Sequence, residues 1–208
     1  KHIPTHFFCR LTQKMKQQYM LPNGKQLYQI GETFGSRELI GEYVGSGLLD
    51  GQFDFNYYWT LKGVFSGGEK NLQRLPESMA ASETAYGSHS LMGNITGNHD
   101  MPRFISYAGE AISNGEDPKE AGWNRDVQIK NKQGYQRLQL RQAWRLMGPG
   151  GPVIYYGDEI GMVGAGDPDN RRDMKFSGLT PEEAETKAIV SKLAHIRKNS
   201  MAVLYGTT

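Results

Sequence analysis

Hydrophobic positions along the chain alternate between short apolar runs and helical stripes. Phe8, Leu11, Met15 and Tyr19 recur at helical spacing and predict a helix from about Thr5 to Met20. Pro22-Asn23-Gly24 reads as a turn behind it. Leu27 to Ile30 predicts a short strand, followed by Gly31-Glu32-Thr33-Phe34. Ser36 is placed to cap a second helix with Leu39, Ile40, Tyr43 and Val44 on one face. Phe53 to Tyr58 reads as a second strand with a looser helical region after it. Ser90 to Ile95 reads as a third, ending in Thr96-Gly97-Asn98-His99-Asp100. A polar stretch from about Ser113 to Gly134 reads as an inserted loop. Leu140, Ala143, Trp144 and Met147 then form a helical stripe, broken by Gly148-Pro149-Gly150-Gly151. Pro152 to Tyr156 is the fourth strand. Thr180 and Glu183 form a capping box with Pro181 at the first helical position, and Ile189, Leu193 and Ile196 form the stripe of that last helix.

Strands alternating with helices in this way indicate an α/β fold with a parallel sheet and crossover helices. The first helix has no strand before it, so the series is expected to begin upstream. The 208 residues suffice for one domain with a core. They are short for a complete eight-fold β/α barrel, which takes about 250. Residues 1–208 therefore read as a single partial domain cut at both ends.

Charge and composition exclude more than they assign. Twenty-four basic and 22 acidic residues leave a net charge of +2, giving no electrostatic case for nucleic acid. No apolar run approaches the roughly 18 residues of a membrane span. The single cysteine, Cys9, rules out an internal disulfide framework. His6, His89 and His195 show no metal-ligand spacing and read as packing or surface residues.

In parallel β/α proteins the site lies at the C-terminal ends of the strands, where the loops converge. The first strand ends at Glu32, the third at Asn98-His99-Asp100 and the fourth at Asp158-Glu159. Each group alone has an ordinary structural explanation: a solvated glutamate, a capped turn, a loop hydrogen bond. Together, acidic groups at successive strand ends supply what glycoside cleavage needs. One carboxylic acid protonates the leaving oxygen, and another carboxylate supports the positive charge that develops at the anomeric carbon.

At this point the motifs resemble a known family, the α-amylase superfamily (glycoside hydrolase family thirteen). Lys1-His2 is similar to the end of its Gly-x-Arg-x-Asp-x-x-Lys-His motif, and Gly31-Glu32-Thr33 to its acid/base segment. Asn98-His99-Asp100 resembles its third-carboxylate motif, and Gly151 to Glu159 its last-strand segment. Asp167-Pro168-Asp169-Asn170-Arg171-Arg172 resembles the loop beyond, most closely that of neopullulanase- and cyclomaltodextrinase-like members. The resemblance implies the C-terminal half of a TIM (β/α)8 barrel, strands five to eight with helices four to eight.

It also implies roles. Glu32 would be the general acid and then the base. Asp100 would be the third carboxylate, holding sugar hydroxyls rather than attacking. His99 would bond a hydroxyl at the cleavage subsite. Lys1 and His2 would line the leaving-group side, and Asp167 and Arg171 would grip a more distant sugar. Asp158 and Glu159 keep a structural reading.

The family nucleophile falls three positions before Lys1, outside the chain. The expectation is thus a retaining hydrolase of α-1,4-glucans or maltooligosaccharides in the intact protein, and an inactive fragment. The alternatives are a transglycosylase on the same fold, or a non-catalytic amylase-like binding or scaffold protein. No cofactor is assigned. A structural calcium ion in the full-length protein is compatible with the resemblance, a main-chain oxygen near His2 contributing. The substrate is the implied partner, and the open edges of a half-barrel predict self-association or pairing with the missing half. A secreted or periplasmic location is favoured over a cytoplasmic one.

Overall fold

The computed structural model describes residues 3–69 and 71–206. Lys1 and His2 lie outside the described residues.

The chain enters through α1 (Thr5–Met15), a π-helical turn (Lys16–Met20) and α2 (Leu21–Asn23). The widened turn directly precedes Pro22, which carries no N–H to continue the ordinary ladder. Gly24, at φ +60°, ends the helix in the left-handed conformation open to glycine. The expected turn at Pro22-Asn23-Gly24 is therefore the last helical turn and its cap. The expected stripe is only partly covered. Phe8 and Met15 are half-buried, Leu11 and Tyr19 are exposed, and the buried residue of α1 is Thr12, which donates to Leu48 O at 3.0 Å.

Four short strands follow in parallel. β1 (Ile30–Gly31) pairs with β2 (Gly51–Gln52), and β3 (Gly93–Ile95) with β4 (Gly151–Val153). A parallel bridge between Phe53 and Gly93 joins the pairs, so the spatial order follows the chain order. α3 (Arg37–Gly41) connects β1 to β2, and α4 (Phe55–Phe65) with α5 (Arg74–Tyr86) connects β2 to β3. The β3–β4 connection carries α6 (Phe104–Ala108), α7 (Pro118–Asn124) and α8 (Gln133–Met147). Beyond β4 come a 3₁₀ turn (Asp169–Arg171), α9 (Pro181–Asn199) and α10 (Met201–Tyr205).

Two local signals work as expected. Ser36 accepts from Leu39 N at the start of α3, with Ile40, Tyr43 and Val44 buried behind it. At α9, Thr180 Oγ1 accepts from Glu183 N at 3.2 Å while Glu183 Oε2 accepts from Thr180 N at 2.7 Å.

Four expectations are corrected. The strand expected at Phe53–Tyr58 stops at Phe53. Asp54 caps α4 instead, its Oδ1 accepting from Tyr57 N at 3.0 Å, and Phe55, Tyr57, Tyr58, Leu61 and Val64 are buried within the helix. The alternation Phe53-Asp54-Phe55-Asn56-Tyr57 has the period of a strand, but Asp54 is used as a helix cap. The stretch expected as a loop from Ser113 to Gly134 contains α7, capped by Asp117. In α9 the buried residues are Glu183, Thr186 and Val190, whereas Ile189 and Leu193 are half-buried and Ile196 is exposed. In α8 the expected stripe is only partly covered: Leu140 is 61% exposed and Trp144 36%, while Ala143 and Met147 are half-buried. The buried face is Tyr135, Leu138, Arg141, Gln142, Arg145 and Leu146. Two arginines thus point inward, where Arg141 donates to Thr96 O at 2.8 Å and Arg145 to Asn94 O at 3.2 Å.

Leu138 packs with Phe104, Ile105, Ala108 and Tyr135 in the α6–α8 core. Leu138→Ala should lower unfolding stability by about 2–5 kcal/mol, and Leu140→Ala by less than about 0.5 kcal/mol. Denaturant midpoints of the two variants check this. Equal losses would contradict the inward face described for α8.

Candidate active site

Glu32 follows β1 directly and projects at the strand's C-terminal end. Close packing behind it explains Gly31: a Cβ there would lie 2.6 Å from Leu49 Cδ1 and 2.8 Å from Gln52 Nε2. β3 is continued by Thr96, whose N donates to Val153 O at 3.0 Å and whose Oγ1 accepts from Tyr155 N at 2.9 Å. The chain then leaves the sheet as Gly97-Asn98-His99-Asp100, beside Glu32.

Asn98 joins the two acidic positions. Its Nδ2 donates to Glu32 Oε1 at 3.0 Å, and its Oδ1 accepts from Asp100 N at 3.0 Å. His99 Nε2 lies 3.3 Å from Asp100 Oδ1. Arg171 completes the group: it reaches Asp100 Oδ1 at 3.6 Å and Asp167 Oδ1 at 3.0 Å, and donates to His99 O at 3.1 Å. Five of the expected residues, Glu32, His99, Asp100, Asp167 and Arg171, therefore meet at one end of the sheet. Lys1 and His2 lie outside the described residues. The site is open to solvent, with side-chain exposures of 54% for His99 and 63% for Asp100.

The support beneath it is dry. Arg103 is 2% exposed and donates to Asn170 O at 3.0 Å, to Asp158 Oδ1 at 3.1 Å and to Tyr156 O. Its guanidinium lies 4.5 Å from the Tyr155 ring and 4.7 Å from that of Tyr156. Burial pushes the Tyr155 phenol above its ordinary pKa, and its hydrogen bond with Tyr156 adds to the shift. Asn170 in turn donates to His99 O at 2.8 Å and Met101 O at 2.9 Å. Arg103 and Asn170 thus fasten the strand-four loops to the turn carrying His99 and Asp100. Asp158 takes the structural place expected of it. The sequence reading assigned no role to Asn98, Asn170 or Arg103, although all three stand within or beside the quoted motifs. Among the described residues, no group of three or more His, Cys, Asp or Glu side chains gathers to hold a metal ion.

Comparison with known proteins agrees with this arrangement. The family model for the α-amylase catalytic domain matches residues 4–201. The chain belongs to the α-amylase family. It is 30% identical over 193 residues to a cyclomaltodextrin glucanotransferase of Bacillus sp. (strain 1011), covering 89% of this chain and 23% of that protein. It is 29% identical over 186 residues to an α-amylase of Niallia circulans, covering 89% of this chain and 29% of the other. The chain thus spans about a quarter of the length of these curated relatives. An α-amylase structure from Anoxybacillus superposes with a TM-score of 0.76 at 26% identity, covering 97% of this chain and 38% of that one. A solved cyclomaltodextrinase superposes with a TM-score of 0.71 at 18% identity, a likeness of fold. The parallel strand–helix series of this α-amylase domain is consistent with a TIM-barrel fragment.

Removing one member of a buried ion pair strands the other charge. Arg103→Ala should therefore cost about 3–5 kcal/mol. The two exposed pairs broken by Arg171→Ala, to Asp100 and Asp167, should each cost at most about 1 kcal/mol. Chemical unfolding of both variants tests the contrast, and a stability-neutral Arg103→Ala would contradict it.

Proposed function

We propose that this chain carries the acid/base half of a retaining α-glucan hydrolase that cleaves α-1,4-glucosidic bonds. The observation that supports this best is Asn98, held by hydrogen bonds to both Glu32 and Asp100. It joins two carboxylate-bearing positions from different strand ends at one end of the sheet. Glu32 protonates the departing glycosidic oxygen and then takes a proton from the incoming water. Asp100, aligned by His99 and Arg171, binds the hydroxyls of the distorted ring and favours its flattened, positively charged transition state. Asp167 and Arg171 hold the glucan away from the breaking bond.

The attacking carboxylate of a retaining enzyme stands about 5–5.5 Å from the acid/base. The resemblance puts it three positions before Lys1, with the present strands as five to eight of the complete barrel. On this reading the 208 residues alone are inactive, and the rest of the barrel covers their open side. Ile30 and Ile154, at the two outer strands, are 37% and 38% exposed, as surfaces awaiting that cover would be.

A second reading, transfer to a sugar hydroxyl in place of water, is favoured by one observation. Several relatives at 30–31% identity are cyclomaltodextrin glucanotransferases. Both reactions use Glu32 in the same way. A binding or scaffold role without catalysis would not require the carboxylates of Glu32 and Asp100, and both are present.

In the intact protein, Glu32→Gln should lower reducing-sugar release from soluble starch by about 10²–10⁴-fold while leaving the fold unchanged. Full activity in that variant would overturn the assignment. Product analysis on maltooligosaccharides separates the two readings: longer or cyclic products mark transfer, and shorter linear ones mark hydrolysis.

A further inference from the structure

We propose that Trp123, on α7, is a binding platform for the pyranose rings of an α-glucan chain, separate from the acidic cluster. The inference rests on the functional reading above for the identity of the ligand. Trp123 is 68% exposed. An indole is a large apolar surface that folding ordinarily covers. Here it is held in water on a base that cannot easily move.

Several contacts make that base rigid. Asp117 caps α7 by accepting from Lys119 N at 2.8 Å and Glu120 N at 3.2 Å, and Pro118 presets its first turn. Ala121 is buried against Ala111, Ile112, Val127 and Ala165. At the far end Arg125 is fixed by Glu116 at 2.7 Å and by Ala111 O at 2.8 Å. Gly122, next to the tryptophan, packs so closely on the 3₁₀ turn that a Cβ there would lie 2.8 Å from Asp169 Cβ. Gly166 N donates to Pro118 O at 2.9 Å. α7 is thus mounted on residues 165–169, the loop that carries Asp167 and leads into Arg171. It also belongs to the same β3–β4 connection as Asn98-His99-Asp100. The platform and the acidic cluster share one scaffold at one end of the sheet.

The surroundings select the ligand class. Lys119, Glu120, Asn124 and Asp126 are all exposed beside Trp123 in the sequence. These neighbours are polar and carry both signs of charge, which suits an uncharged ligand with many hydroxyls. One ring among such neighbours is not the contiguous apolar patch that a protein partner covers. A pyranose offers a C–H face for the indole and hydroxyls for the polar neighbours. A ring already fixed in place binds without the ordering cost of a mobile one.

The test is affinity electrophoresis of the intact protein in gels with and without soluble starch, in the Glu32→Gln background so that starch is not degraded. Trp123→Ala should weaken starch retention by about tenfold, and Trp123→Phe should keep most of it. The thermal midpoint should stay unchanged, since the indole is exposed. Retention unaltered by Trp123→Ala overturns the platform and leaves the acid/base reading intact. So does a Trp123→Ala effect confined to self-association on size exclusion, which would mark a protein contact. Failure of the Glu32 assignment appears separately, as starch cleavage that survives Glu32→Gln.

Discussion

Buried guanidinium groups hold the ends of this sheet. Arg103, Arg141 and Arg145 are the three largest fully buried side chains of the described residues. The strands are only two or three residues long, so their ladders leave main-chain carbonyls without strand partners. A buried carbonyl left unbonded is costly. Arg145 takes Asn94 O, Arg141 takes Thr96 O, and Arg103 takes Tyr156 O and Asn170 O. Burying these cations carries its own cost. Desolvation pulls Arg141 below its ordinary pKa and Arg145 down to about 9, the neighbouring Arg141 adding to the second shift. Aromatic faces and an amide offset part of this. Arg141 lies 4.6 Å from the Phe104 ring, and Arg145 donates twice to Gln142 Oε1, at 3.1 and 2.9 Å.

That constraint divides the work between a dry layer and a wet one. Thr96, whose carbonyl Arg141 holds, is the last sheet-bonded residue before Gly97 and Asn98. Asn170, whose carbonyl Arg103 holds, grips His99 O and Met101 O from the other side. The reacting groups proposed here are therefore exposed, but the backbone beneath them is fixed from both flanks. Exposed carboxylates on a mobile turn would seldom share a geometry. On a turn fastened at both ends they are presented together.

What could be read in the sequence followed from how local each signal was. The capping box of Thr180 and Glu183 involves four consecutive residues and tertiary context does not alter it. The acidic strand ends were legible because a strand's end brings its next few residues to one face of the sheet. The face of α8 was not. Leu140, Ala143, Trp144 and Met147 make an unbroken apolar stripe, and nothing local distinguishes Arg141 and Arg145 from ordinary surface arginines. They lie inside because the carbonyls of β3 need donors, a requirement set by residues about 50 positions away in the chain. The run from Phe53 to Tyr58 failed for a different reason. Phe53-Asp54-Phe55-Asn56-Tyr57 alternates apolar and polar residues as a half-buried strand does, and only the cap at Asp54 marks the helix. Asn98 was visible as part of a motif, but its contact with Glu32 spans 66 positions and has no local signature.

The open character of the cluster bears on how the chemistry would work. Two unit charges about 4 Å apart attract by only about 1 kcal/mol in bulk water, and by several times more in a drier medium. Asp100 and Arg171 stand 3.6 Å apart with side chains 63% and 45% exposed, so their contact here belongs near the weak end of that range. A carboxylate that favours a developing cation needs water excluded around it. Among the described residues nothing roofs His99 and Asp100, whose side chains are 54% and 63% exposed. On the proposed function the glucan itself would be one source, since a bound ring would cover the groups that hold its hydroxyls, and the facing part of the family's domain would be the other. This chain thus supplies alignment, through Asn98 and Asn170, and on the proposed function the drying of the site would come from what closes over it.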